Sequence, residues 1–118
     1  MLIADDEPSM RLLIRTTIQS DAYTVLEAGD GDEAWTFIKQ FQPALVLLDI
    51  QMPGLTGLEI LKLIRGNPGL KRTRVIVLTA RALAADIDAG MKAGADFYLT
   101  KPFSPLELLA RVDEALLL

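Results

Sequence analysis

Short apolar runs alternate along this chain with longer stretches whose apolar residues recur at helical spacing. The runs cover residues 1–4, 23–28, 45–48, 75–78 and 97–99. Leu45-Val46-Leu47-Leu48 and Val75-Ile76-Val77-Leu78 do not alternate with polar residues. Continuous apolar strands of that length suit a parallel sheet covered on both faces. Between the runs, Met10, Leu13, Ile14, Thr17 and Ile18 fall on one helical face, as do Ala34, Phe37, Ile38 and Phe41. Gly57, Ile60, Leu61 and Ile64 repeat the spacing, and Leu108, Leu109, Val112 and Leu116 do so at the end of the chain. Ser9 and Ser104 stand where N-caps belong, and Pro105 suits a first helical turn. Pro43 and the Gly66-Asn67-Pro68-Gly69 cluster stop the helices before them. The Ala-rich stretch 84–93, carrying Asp86 and Asp88, predicts a weaker helix.

A strand followed by a helix, five times over, without a linker or internal repeat, is the signature of an α/β domain: one five-stranded parallel sheet with helices on both faces. A length of 118 residues suits one domain. In open sheets of this kind, ligands bind beyond the carboxyl ends of the strands. Chemistry is therefore expected just past each apolar run.

Composition narrows the chemistry sharply. There is no Cys and no His, which excludes disulfide scaffolds, thiolate sites, a Ser-His-Asp triad and the usual zinc ligands. The same absence excludes a phosphohistidine carrier. A net charge of −4 argues against nucleic-acid binding by this segment. No apolar run is long enough to span a membrane, and the N-terminus lacks a signal-peptide pattern, so a cytoplasmic location is the default expectation. What remains lies at the strand ends: Asp5-Asp6-Glu7, Asp49, Thr79 and Thr100-Lys101-Pro102. Parallel strands bring these to one edge, where Asp5, Asp6 and Asp49 would crowd together with a hydroxyl and an ammonium. Like charges so close repel strongly unless something positive intervenes. A hard divalent cation answers this, Mg²⁺ first and Mn²⁺ as a substitute.

These residues resemble those of the receiver domain of two-component response regulators, over nearly the whole chain. The likeness is carried by Asp5-Asp6-Glu7, by Leu47-Leu48-Asp49-Ile50-Gln51-Met52-Pro53-Gly54 with Gly57, by Leu78-Thr79-Ala80, by Gly94-Ala95-Asp96, and by Tyr98-Leu99-Thr100-Lys101-Pro102-Phe103. The resemblance implies a flavodoxin-like (βα)5 fold with strand order 2-1-3-4-5. It implies that Asp49 is a phosphoacceptor, that Asp6 binds the metal directly and Asp5 through water, and that Gln51 supplies a backbone carbonyl. Lys101 is expected to pair with phosphoryl oxygens, aimed by a cis Lys101–Pro102 bond. Thr79 and Tyr98 are expected to form the conformational switch. Plainer roles compete at each position: a turn aspartate at 49, a helix-capping pair at 5 and 6, a surface lysine at 101, a strand-ending threonine at 79 and a half-buried aromatic at 98.

The implied function is phosphorelay signalling, with phosphate taken from a histidine kinase or histidine phosphotransfer protein and a response passed to an attached or separate output domain. The domain would catalyse only its own phosphorylation and dephosphorylation. The final helix carries Glu107 and Arg111, as in DNA-binding regulators that pair through this face. Ile87, Ala93, Phe97 and Leu118 occupy the positions where the complementary charges are sought, so a monomer or weak dimer is expected, with Ile87 and Phe97 exposed. The ending Leu116-Leu117-Leu118 suggests a module excised from a longer protein, a stand-alone regulator being the lesser reading. One rival is a receiver-like protein-binding module working without phosphorylation. A flavin binder on the same architecture is disfavoured, because Asp5-Asp6-Glu7-Pro8 would repel a flavin phosphate. No P-loop pattern occurs.

The resemblance implies that Gln51 and Arg81 flank the path of a water attacking the phosphorylated aspartate, where their long side chains are expected to shield it. Gln51→Ala and Arg81→Ala should each shorten the lifetime of the phosphorylated form. Unchanged dephosphorylation rates would remove both residues from that role.

Overall fold

A computed structural model describes residues 1–118. Strands and helices alternate without exception: β1 (Leu2–Ala4), α1 (Pro8–Ile18), β2 (Leu26–Ala28), α2 (Gly31–Phe41), β3 (Leu45–Leu48), α3 (Gly57–Arg65), β4 (Arg74–Thr79), α4 (Ala84–Ala93), β5 (Phe97–Thr100) and α5 (Pro105–Leu117). A single 3₁₀ turn at Pro68–Leu70 joins α3 to β4. All strands pair in parallel in one sheet of order β2-β1-β3-β4-β5. No helix is long and apolar enough to cross a membrane.

The unbroken apolar runs of β3 and β4 make sense once their side chains are followed to each face. Successive residues of a strand point to opposite faces. Leu2, Ala4, Val46, Leu48, Val75 and Val77 therefore pack against Ala34 and Ile38 of α2 and Ile60, Leu61 and Ile64 of α3. Ile3, Leu45, Leu47, Ile76 and Leu78 pack on the other side against Ile14 and Ile18 of α1 and Leu108, Val112 and Ala115 of α5. Each fully buried Leu, Ile or Val contributes roughly 1.5–3 kcal/mol, so both cores are substantial. By contrast, α4 buries only Gly90 and is the most loosely anchored helix.

Several boundaries differ from those the sequence suggests. β2 does not begin at residue 23, and Tyr23 is exposed. Its only neighbour is β1, and the three residues of β1 pair with Leu26, Glu27 and Ala28 alone. β4 and β5 run one residue longer than their apolar runs at the carboxyl end, to Thr79 and Thr100, which pair with each other. Ser9 is not an N-cap: Pro8, with its fixed φ, takes the first helical position, and Glu7 precedes it without a side-chain cap. Ser104 does cap α5, accepting from the Glu107 N–H. The apolar stripe of α1 is narrower than its spacing suggests, because Leu13 faces solvent while Ile14 and Ile18 are buried. Leu109 and Phe41 are likewise exposed. Ile87 and Phe97 are half-buried rather than exposed, and the Arg111 guanidinium lies over the Phe97 ring at 5.7 Å.

At the edge opposite the strand carboxyl ends, Arg65 closes the domain. Its guanidinium donates to the Gly94 carbonyl (2.8 Å), the Thr73 carbonyl (2.7 Å) and the Asp96 carboxylate (3.0 Å). Asp96 also accepts from the Val75 N–H at 2.8 Å. One side chain thus ties the end of α3 to the start of β4 and the turn into β5.

Position 57 admits only glycine for a steric reason. The N-terminus of α3 is fixed by a reciprocal cap between Thr56 and Glu59 and sits directly on the chain leaving β3. A Cβ at Gly57 would stand 2.3 Å from the Asp49 carbonyl oxygen and 2.7 Å from the Ile50 Cα. Gly57→Ala should cost about 1–3 kcal/mol, as overpacking does, read as a lower midpoint in urea unfolding at unchanged slope. A midpoint equal to that of the unaltered chain would show that α3 can move away.

Candidate functional site

The strand ends hold the site because the sheet's hydrogen bonds continue past the strands. The Asp5 N–H donates to the Ala28 carbonyl (3.1 Å), the Asp49 N–H to the Ala4 carbonyl (2.9 Å) and the Lys101 N–H to the Thr79 carbonyl (2.8 Å). Asp5, Asp49 and Lys101 are therefore positioned by the ladder although each lies outside a strand. The Lys101–Pro102 peptide bond is cis.

The side chains converge. Asp5 and Asp49 are buried, Asp6 is exposed, and carboxylate oxygens of all three lie within 4.8 Å of one another. The Lys101 ammonium donates to Asp5 Oδ2 at 2.5 Å and to Asp49 Oδ2 at 3.0 Å. The remaining oxygen of each buried acid also has a donor: Asp5 Oδ1 accepts from the Glu7 N–H (2.9 Å) and Asp49 Oδ1 from the Gln51 N–H (3.2 Å). Burial alone would lower the pKa of Lys101. The hydrogen bonds to Asp5 and Asp49, with their negative charge, outweigh it and hold the ammonium above its ordinary value.

Three carboxylates face one ammonium, so the nest keeps an excess of negative charge. The donors are hard oxygens, and the exposed Asp6 leaves one side open to solvent. This donor set fits a hard divalent cation that retains part of its water shell, and the chain has no His or Cys to favour a softer metal.

Thr79 is completely buried, and its Oγ1 accepts from the Arg81 N–H at 3.4 Å. Tyr98 is half-buried and donates its hydroxyl to the Arg81 carbonyl at 2.7 Å. Burial raises the Tyr98 pKa, and the negative charge of Asp86 adds to the effect. Gln51 is exposed and, with Asp6, Met52, Pro53, Arg81 and Asp86, lines a cleft of about 510 Å³ beside the acids.

All the residues singled out at the strand ends thus lie at one edge. Three contributors were not evident from the sequence. Arg11 donates to the Asp5 carbonyl (2.7 Å) and pairs with Glu27, anchoring the first acidic turn from α1. Gly90 of α4 makes room for Tyr98, since a Cβ there would stand 2.8 Å from the ring. Asp86 pairs with Arg81. No local pattern marks the first two, because each depends on elements distant in the chain. Asp86 stands in the first turn of α4, where an acid is ordinary.

Comparison with known proteins agrees with this geometry. The profile of the response regulator receiver domain matches residues 1–113. The chain is similar to the DNA-binding response regulator MtrA of Mycolicibacterium smegmatis (35% identical, over 95% of this chain and 48% of that protein). It is also similar to the response regulator GtcR of Aneurinibacillus migulanus (38%, over 98% and 47%). It spans about half the length of these curated relatives. Among solved structures, the receiver domain of the Francisella response regulator 1452 superposes with a TM-score of 0.89 at 35% identity, covering 98% of this chain and 93% of that one. The chemotaxis protein CheY4 of Vibrio cholerae gives 0.86 at 32%, covering 97% and 95%. A profile that runs through every strand end, joined to acids, hydroxyl and ammonium gathered at one sheet edge, makes this chain a member of the response regulator receiver domain family.

Proposed function

We propose that Asp49 accepts a phosphoryl group from a histidine kinase or histidine phosphotransfer protein. The observation that carries this reading is the Lys101 ammonium, bridging Asp49 to Asp5 inside an otherwise acidic nest. A carboxylate oxygen of Asp49 attacks phosphorus, the bond from phosphorus to the donor's histidine nitrogen breaks, and that nitrogen keeps the electron pair. The product is an acyl phosphate. Asp6, Asp49 and the Gln51 carbonyl, with Asp5 behind, would hold Mg²⁺ or Mn²⁺, which when bound would supply positive charge to offset the repulsion between carboxylate and phosphoryl group.

The protein's own groups do the rest. Lys101 already donates to one oxygen of Asp49 and is placed to neutralise charge on the transferred group. Asp5 holds that ammonium in position. The Thr79 hydroxyl lies at the adjoining strand end and turns toward a phosphoryl oxygen. Tyr98 then repacks, which passes a local charge event to α4 and β5 and so to an attached or separate output domain. The domain acts as a cytoplasmic signalling element, a monomer or weak dimer, and catalyses only reactions of its own phosphoryl group.

Incubation with Mg²⁺ and acetyl phosphate should add one phosphoryl group, about 80 Da by intact mass, and Asp49→Asn or chelation of the metal should abolish the gain. Labelling that survives Asp49→Asn would place the acceptor elsewhere. Mg²⁺ alone should raise the thermal midpoint, by the equivalent of roughly 1.4 kcal/mol when free ion is tenfold above its Kd. Asp6→Asn should weaken that response. A midpoint indifferent to Mg²⁺ would contradict the assignment of the acidic nest.

A further inference from the structure

Arg81 is the residue through which the site, the aromatic and α4 meet. Its N–H reaches the Thr79 hydroxyl and its carbonyl receives the Tyr98 hydroxyl. Its guanidinium is paired with Asp86 in the first turn of α4. Both Nε and Nη2 approach the same oxygen, Asp86 Oδ1, each at 3.3 Å.

That pairing is a weak one. A planar guanidinium binds best as a fork on two acceptor oxygens, and here both nitrogens share one. Arg81 is also 44% exposed and Asp86 20%, so solvent screens the pair. α4 has little else to hold its beginning: Leu83 precedes it without a side-chain cap, and no residue of its first turn is buried. Arg81, Asp86, Gln51 and Asp6 line the same cleft beside the acids. A phosphoryl dianion on Asp49 would add three acceptor oxygens to that cleft.

We propose that Asp86 competes with the phosphorylated Asp49 for the Arg81 guanidinium, and thereby sets the lifetime of the acyl phosphate and the freedom of the α4 N-terminus. This rests on the reading of Asp49 as acceptor. Hydrolysis requires a water oxygen to bond to phosphorus while the bond from phosphorus to the Asp49 oxygen breaks, releasing inorganic phosphate and a proton to solvent. A guanidinium forked onto the phosphoryl oxygens covers the approach to phosphorus. While Asp86 holds Arg81, that cover is incomplete. When the phosphoryl group takes Arg81, the first turn of α4 loses its tether at the helix that Tyr98 packs against. Arg81 and Asp86 are positioning residues in this account.

The test follows the phosphorylated fraction by intact mass after removal of acetyl phosphate, in the unaltered chain, Asp86→Asn, Arg81→Ala and the double variant. Asp86→Asn should lengthen the lifetime about two- to threefold, the scale of releasing an exposed ion pair, and should have no effect once Arg81 is Ala. Before phosphorylation, amide exchange at residues 85–87 should already be faster in Asp86→Asn, and phosphorylation should speed it only in the unaltered chain. A lifetime unchanged or shortened by Asp86→Asn, or an equal effect in the Arg81→Ala background, overturns the competition. If the unaltered chain gains no phosphoryl group, the acceptor assignment fails and this inference with it. A gain with matching lifetimes defeats the competition alone.

Discussion

One ammonium between two buried carboxylates sets the terms for everything around it. Lys101 is the sole cation among Asp5, Asp6 and Asp49, and it contacts the two that water reaches least. Removing one partner from such a buried arrangement typically costs about 3–5 kcal/mol, because the others are left desolvated and unpaired. The tie therefore joins the first strand, the third and the last across the sheet. It also leaves the nest short of positive charge, which is a property suited to binding a cation rather than a defect in packing.

The fold exists to make that convergence possible. Asp5, Asp49 and Lys101 come from distant parts of the sequence, yet each is the first residue beyond its strand and each still bonds to the neighbouring strand through its N–H. The two cores on either side of the sheet keep the strands in register, so the edge is rigid where the acids sit. Rigidity declines toward α4, where one buried glycine replaces the apolar stripe of the other helices. The acidic nest thus borders a helix with little buried surface, and Arg81 spans the two.

The sequence is informative wherever a residue's role depends on its neighbours in the chain. Continuous Leu and Val in β3 and β4 announce strands covered on both faces, and the acids following the apolar runs mark the functional edge. The Thr56-x-x-Glu59 cap of α3 is also a local pattern, though Ser9 and Ser104 are the caps expected from the sequence. Ser9 was misleading because Pro8 has the stronger claim on the helix start, a purely local competition that the fixed φ of proline decides. The extent of β2 was not local at all, since an edge strand is only as long as the partner beside it.

By itself, then, the amino-acid order determined an alternating α/β chain, which strand ends carry acid, hydroxyl and ammonium, and through them the family. Those properties follow from periodicity and from residues adjacent in the chain. Only the tertiary structure decided that Lys101 grips both Asp5 and Asp49, that Arg11 steadies the first acidic turn, that Gly90 leaves room for Tyr98, and that Arg81 turns to Asp86. Such choices depend on distances between elements set by packing, and on which of several nearby anions a cation reaches first. No spacing along the chain encodes that.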